Sequence, residues 1–338
     1  MINALFFKRL LPSAFSLSGV LVIAFVLTRA LPGDPAAYLA GPSASSQAVV
    51  EIRQALGLDR SLPEQFFAYV RQIAAGDLGV SWSTGQPVVA ELTSRLPASL
   101  ELTGLGLLIA IAVAVPLGVA AALKPGTAID HASRFVTTAG VSLPTFFTGL
   151  LFVYVFYYEL GWFPAPLGRL APFAEPPNDV TGLYLVDSLL EGDVALFGES
   201  LLYLALPSLT LGIFALAPIA RMTRASMLGV LSSDFVRTAR ASGLSRRKVL
   251  FTYALKNALI PLVTTLGMVF SYLLGANVLV EKVFSWPGVG SFALEALVIS
   301  DYAAVQGFVL CMGVLYVLLN LAIDVTYGLI DPRVKVAS

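Results

Sequence analysis

Hydrophobic and polar positions in this chain fall into long blocks rather than a fine alternation. Six apolar runs contain no charged residue: 10–28, 102–123, 135–158, 200–220, 257–280 and 302–323. Crossing a hydrocarbon core about 30 Å thick takes about 20 helical residues, and a charge at its centre costs about 2.5–3.5 kcal/mol on insertion scales. Each run therefore predicts one transmembrane helix, and the expected fold is an all-α integral membrane protein with six of them. The first run follows Lys8 and Arg9. It is longer than the apolar region of a cleaved secretory leader, about 7–15 residues, so it is expected to stay as an anchor.

The polar stretches carry patterns of their own. Ser61 and Glu64 have the spacing of a capping box, and Phe66, Phe67, Val70, Ile73 and Ala74 then recur at helical intervals before Gly76. They predict an amphipathic helix, either packed in a subdomain or touching substrate directly. Within the apolar runs, Pro116, Pro144, Pro207, Pro218 and Pro261 each free a backbone carbonyl. Such kinks suit a transport pathway, although proline is commoner in membrane helices generally. Ala110, Ala114, Gly118 and Ala122 make one small face suited to close helix packing. Thr264, Met268, Ser271, Tyr272 and Gly275 share one side of the fifth run and mix polar with small side chains. That stripe is the candidate translocation path, its alternative being hydrogen bonding across a helix bundle.

Composition agrees with a membrane solvent: 57% of the residues are hydrophobic and 12% charged, against about 25% charged in soluble domains. The 21 basic and 21 acidic residues cancel, but they are sorted by segment. Arg221, Arg224, Arg237, Arg240, Arg246, Arg247, Lys248 and Lys256 face a lone Asp234 between the fourth and fifth runs. Between the third and fourth, seven acidic residues face Arg169. Positive charge resists translocation, so the first loop is expected in the cytoplasm, the second outside, and both termini inside. The expected division is a cytoplasmic N-terminus with the first helix (1–30), an external segment (31–98), a five-helix core (99–330) with a cytoplasmic loop (221–256), and a cytoplasmic tail (331–338). Asn320 and Asp324 lie one turn apart near the inner end of the last run, with Arg221 or Arg224 as the expected partner of the acid.

Catalytic chemistry finds little support. His131, the sole histidine, is read as a solvated loop residue, with no cysteine or clustered carboxylates beside it to hold a metal. Cys311 stands alone in an apolar run. No Gly-Lys dipeptide occurs, so the phosphate-cradling loop of a P-loop ATPase is absent and energy must come from a partner or a gradient. A gradient-driven carrier or channel would favour ionisable residues at mid-membrane depth, which the six runs lack. An intramembrane hydrolase would need a histidine or paired aspartates there.

The basic loop contains SDFVRTARASGL from Ser233. It predicts a short surface helix with Ser233 as N-cap, Asp234 in the first turn and Gly243 as the stop. Phe235, Val236, Ala239 and Ser242 group on one side and Arg237 and Arg240 on the other, with Leu244 closing the segment. Two readings stand at this point: docking to a soluble cytoplasmic protein, or a basic helix on anionic lipid.

On these residues the chain resembles the permease subunits of binding-protein-dependent ABC importers, in their dipeptide and oligopeptide branch, over nearly its whole length. The family's inner loop follows Glu-Ala-Ala, three residues, then Gly; the matching positions here are Arg237, Thr238, Ala239 and Gly243. RTARASGL and ALKNALIP, PGDPAAYLAG, LGLDRSLPEQF, GDLGVSW, VFSWPGVGSFALEAL and DVTYGLIDPR are similar to that branch in order and spacing. The resemblance implies a second permease subunit, two cytoplasmic ATPases that bind ATP and Mg, and an external substrate-binding protein, in the inner membrane of a bacterium. It also implies that the segment Ser233, Asp234, Phe235, Val236, Ala239, Ser242, Gly243 and Leu244 couples the chain to an ATPase, with no cofactor or catalytic residue of its own. Relatives in the branch carry dipeptides, longer peptides, glutathione, haem or nickel complexes.

Overall fold

The computed structural model describes residues 2–30, 34–41 and 43–330, with side chains for 15–30, 34–41, 43–323, 325 and 326. Among the described residues every regular element is a helix, and the segments between them are turns and irregular chain with one isolated bridge between Val80 and Pro87. Four helical stretches are long and apolar enough to cross a membrane: Val88–Leu123, Val194–Leu231, Arg246–Val283 and Tyr302–Ile323. Helix α1 spans Ile2–Ala30, and the part whose side chains are described, Phe15–Ala30, is apolar but shorter than those four.

The third apolar run is not one straight helix. Ala128–Val141 and Thr145–Glu159 meet at a 96° bend, and they make a fifth crossing only if counted together. The cause lies in the local sequence. Pro144 lacks an N–H and disfavours helical backbone at Leu143. The Ser142 hydroxyl donates to the Thr138 carbonyl (2.8 Å), closing the first helix, and the Pro144 carbonyl accepts from Thr148 N–H (3.0 Å), opening the next. His131, expected in a loop, lies exposed on the helix Ala128–Val141.

The chain forms two compact units, Met1–Pro97 with Gly288–Leu318, and Ala98–Pro287 with Leu319–Ser338. The first contains α1, α2 (Pro35–Ala40), α3 (Ser46–Ala55) and α4 (Leu62–Ala74). It also holds the start of α5 (Val88–Leu123), α13 (Val289–Val298) and the start of α14 (Tyr302–Ile330). Its core gathers Val88, Leu92, Val289, Phe292, Ala296, Ala304 and Val305. The predicted capping box is present: the Ser61 N–H and hydroxyl both donate to Glu64 Oε2, at 3.0 and 2.8 Å. The buried stripe of α4 is rotated from the expectation, with Tyr69 inside and Phe67 exposed. Asp301 staples the unit. Its Oδ2 accepts from Ser81 Oγ and Trp82 N–H, both at 2.7 Å, while Oδ1 accepts from Ala304 N–H (3.2 Å) at the start of α14.

In the second unit α9 (Val194–Leu231) is central, packing against α6 (Ala128–Val141), α7 (Thr145–Phe152), α8 (Tyr184–Glu191) and α12 (Lys256–Val283). The small face of α5 is what lets it approach α9. Ala110 and Ala114 are fully buried, and a Cβ on Gly118 would lie 2.7 Å from Thr223 Cβ and 2.8 Å from the Ala220 carbonyl. Between α7 and α9 the acidic segment is tied down by Arg169. Its guanidinium pairs with Glu101 (2.7 Å), donates to the Gly182 carbonyl (2.9 Å) and lies 3.3 Å from the Tyr184 ring centroid. Glu101 also accepts from Leu185 N–H at 2.8 Å. Arg169 and Glu101 are both nearly buried, a setting in which removing one partner costs about 3–5 kcal/mol.

Candidate functional site

After α9 the chain turns through Ser232 and Ser233 into α10 (Asp234–Ala241), the predicted surface helix. Ser233 occupies the N-cap with extended backbone, yet its hydroxyl donates back to the Val230 carbonyl instead of accepting from the helix. Asp234 sits in the first turn and pairs with Arg237 at 3.2 Å, an exposed contact worth little. The C-terminus is built as expected. Gly243 has φ +76°, its N–H donates to the Arg240 carbonyl (3.1 Å), and Leu244 N–H donates to the Ala239 carbonyl (3.3 Å). That is the two-bond Schellman stop, and the left-handed residue between them favours glycine.

The faces of α10 are distributed differently from the sequence reading. Val236 and Ala239, assigned to the outward face with Phe235 and Ser242, are buried against Val249, Val230, Leu231 and Leu244 of the same unit. An apolar stripe on a short helix satisfies itself on the nearest apolar surface, here the base of α9 and the turn leading to α12. Phe235, Ser242 and Gly243 are exposed, as are Arg237 and Arg240. Beside the helix opens a groove of about 630 Å³, with Leu228, Leu231, Leu244 and Leu250 on its walls and Arg240 and Arg246 on its lining. The groove's composition, apolar walls with cationic groups, was not anticipated, because its residues come from α5, α9, α10 and the α11 region (α11 being Arg246–Lys248).

The candidate path residues form one continuous open stripe on α12. Met268, Tyr272 and Gly275 are exposed, and Thr264 and Ser271 are half-buried. The Ser271 hydroxyl is occupied by the Gly267 carbonyl (3.1 Å), and Tyr272 stacks on Phe214 of α9 at 5.2 Å. A Cβ at Gly275 would meet nothing within 4 Å.

Close to the base of α9, Asp130 is the electrostatic anchor that sequence reasoning missed. Its carboxylate takes Arg224 in a two-point pair (2.7 and 2.8 Å), Arg134 at 2.9 Å and the Gly126 N–H at 3.0 Å. Arg224 first, then Arg134 and the Gly126 N–H, hold this carboxyl far below the usual carboxylate range. Arg224 thus has a different acid from the Asp324 expected, whose side chain lies outside the described residues. Only the Asp130–Arg134 spacing of one helical turn was readable beforehand.

Two family models match the chain. The model for "Binding-protein-dependent transport system inner membrane component" covers residues 114–336, and "Binding-prot-dependent transport system membrane comp, N-term" covers 1–103. The chain belongs to this family. It is a membrane component of a multi-part transport system, a class distinct from enzymes. Among its relatives, "Probable D,D-dipeptide transport system permease protein DdpB" of Escherichia coli (strain K12) is 45% identical, covering 94% of this chain and 93% of the relative. "Dipeptide transport system permease protein DppB" of Alkalihalophilus pseudofirmus is 40% identical over 97% of this chain and 98% of the relative. "Glutathione transport system permease protein GsiC" of Escherichia coli O6:H1 is 37% identical over 97% of each.

Proposed function

We infer that this component is the transmembrane permease subunit of an ATP-driven importer that moves dipeptide-like cargo into the cytoplasm. The observation that carries the reading is the 45% identity, over 94% of the chain, to a relative described as a D,D-dipeptide permease protein. Peptide is preferred to glutathione, haem or nickel complexes because three of the most similar relatives are described by dipeptides or di- and tripeptides.

The mechanism follows from a chain that hydrolyses nothing. Two permeases enclose the path, an external binding protein delivers the peptide, and two cytoplasmic ATPases bind ATP and Mg. The six apolar runs cross the bacterial inner membrane with both termini in the cytoplasm, the first through α1 and the third through the bent pair α6–α7. Segments 31–98 and 159–199 then lie outside. The coupling element is the 233–244 segment, seated in an ATPase cleft through its exposed Phe235, Ser242 and Gly243 rather than through Val236 and Ala239. Those two fasten the helix to α9 and to the rod Arg246–Val283, so movement of α10 is passed to the helix bearing the Thr264, Met268, Ser271, Tyr272 and Gly275 stripe. A transporter of this kind works by changing its preference between inward and outward states as the ATPases close and reset.

The reading is tested by uptake of a labelled dipeptide panel in a strain lacking the chain, with and without its restoration. Uptake that returns with the wild-type chain and depends on cellular ATP supports it. Transport by the purified chain alone, driven by an ion gradient, would replace it with a self-sufficient carrier.

A further inference from the structure

The first unit contains a cavity of about 320 Å³ that none of the roles above uses. Its size falls at the lower end of small-molecule sites. Arg29, at the end of α1, and Tyr69, on α4, both line it, with Trp82 and Tyr302 supplying an aromatic wall whose ring centroids are 5.8 Å apart. We propose that this cavity is a binding site for a small anion, a carboxylate or phosphate carried on an apolar body.

A guanidinium offers five N–H groups. Arg29 Nε and Nη2 donate to Gln65 Oε1 (3.3 and 3.1 Å), and Nη1 donates to Thr28 Oγ1 (3.1 Å). One N–H on each terminal nitrogen is left. The cation rests 4.0 Å from the Phe25 ring centroid, and among the described residues no carboxylate lies within salt-bridge reach. A half-buried guanidinium held by amide, hydroxyl and ring, with charge-assisted donors to spare, is a receptor for an anion.

A second observation points the same way. Tyr69 is 8% exposed, and its hydroxyl is buried without a hydrogen-bond partner. A buried hydroxyl that donates to nothing is destabilising unless something fills the gap. Burial also pushes the Tyr69 hydroxyl's pKa up to about 12, so it remains a donor at neutral pH. Asp77 lines the cavity too, but it is exposed and its Oδ1 is taken by Gly79 N–H at 2.8 Å. The aromatic wall is held in place by the Asp301 staple, which fixes the backbone of Trp82 from one side and the start of α14 from the other. This site stands apart from the role assigned to α10, and its test reads binding rather than uptake.

The full-length chain in phosphatidylcholine nanodiscs is titrated calorimetrically with alanyl-phenylalanine, its C-terminal amide and inorganic phosphate, and its melting is followed with and without phosphatidylglycerol. The free acid or phosphate is expected to bind, and the amide at least about tenfold more weakly, the loss expected when a charge-assisted hydrogen bond disappears. Arg29→Gln should lose binding to the same degree. Tyr69→Phe should weaken it by about three- to tenfold while the ligand-free melting temperature holds or rises, because an unpartnered hydroxyl is gone. Stabilisation by phosphatidylglycerol alone, lost in both variants, assigns the same anion chemistry to a lipid headgroup. The proposal is overturned if neither the soluble anions nor the anionic lipid distinguish wild type from Tyr69→Phe, a comparison that holds even should Arg29→Gln fail to fold.

Discussion

Replacing Gly243 by valine isolates the stop of the proposed coupling helix from everything around it. The residue sits at φ +76°, and a Cβ built there meets nothing within 4 Å, so the entire penalty lies in the backbone. A left-handed conformation costs an ordinary side chain about 1–2 kcal/mol, and a β-branched one tolerates it least. Since 1.4 kcal/mol is a factor of ten, the population with both terminating hydrogen bonds should fall about tenfold or more relative to a frayed last turn. Leu244 then loses its place against Val236 and Ala239, and α10 loses its fixed angle. Overall melting should barely move, because the change is local. Asparagine tolerates the left-handed region, so Gly243→Asn should keep most function. The assay is labelled dipeptide uptake together with retention of ATPase subunits on the purified complex. We expect Gly243→Val to lose most of both and Gly243→Asn to stay near wild type. Equal uptake in the two variants would refute the argument that backbone geometry at this residue sets coupling.

The other expectations concern packing, charge and the path. Gly118→Ala should destabilise the chain by about 1–3 kcal/mol, seen as a lower melting temperature in detergent, because the Ala220 carbonyl at 2.8 Å cannot move aside. Asp130→Asn should lower the melting temperature at pH 7 by breaking the Arg224 and Arg134 pairs. The wild-type carboxyl is held below its ordinary value, so its contribution is complete above about pH 4 and is lost only as pH falls through the depressed folded value. The gap between variant and wild type should therefore close only in strong acid, and closure near pH 6 would contradict the pairing. Ser271→Trp and Gly275→Leu, on the open stripe of α12, should assemble normally and block uptake; normal uptake in both would move the path elsewhere.

Local patterns were legible where neighbouring residues decide the outcome. The capping box at Ser61, the left-handed Gly243 and the small face of α5 could all be read from spacing, since each depends on contacts within a few turns or on size alone. The 96° bend was marked only by Pro144, because prolines at 207, 218 and 261 sit inside continuous helices and the sequence does not tell which freed carbonyls find other partners. The grouping of Gly288–Leu318 with the N-terminal unit and the Arg169–Glu101 pair depend on partners far apart in the chain. The inward turn of Ala239 was hidden for another reason. Amphipathicity reveals that a face will be covered, but not whether the cover is a partner or the chain itself.

The central claim is that α10 meets an ATPase through its exposed side. It is tested most directly by placing single cysteines at Phe235 and Val236 in a Cys311→Ser chain co-expressed with its ATPase subunits, then applying a short bifunctional thiol reagent. The account predicts an ATPase cross-link from Phe235→Cys that changes in yield with ATP, and little from the buried Val236→Cys position. Labelling of Phe235→Cys by lipid-soluble reagent alone, with no ATPase cross-link at either position, would contradict it and return the helix to the membrane surface.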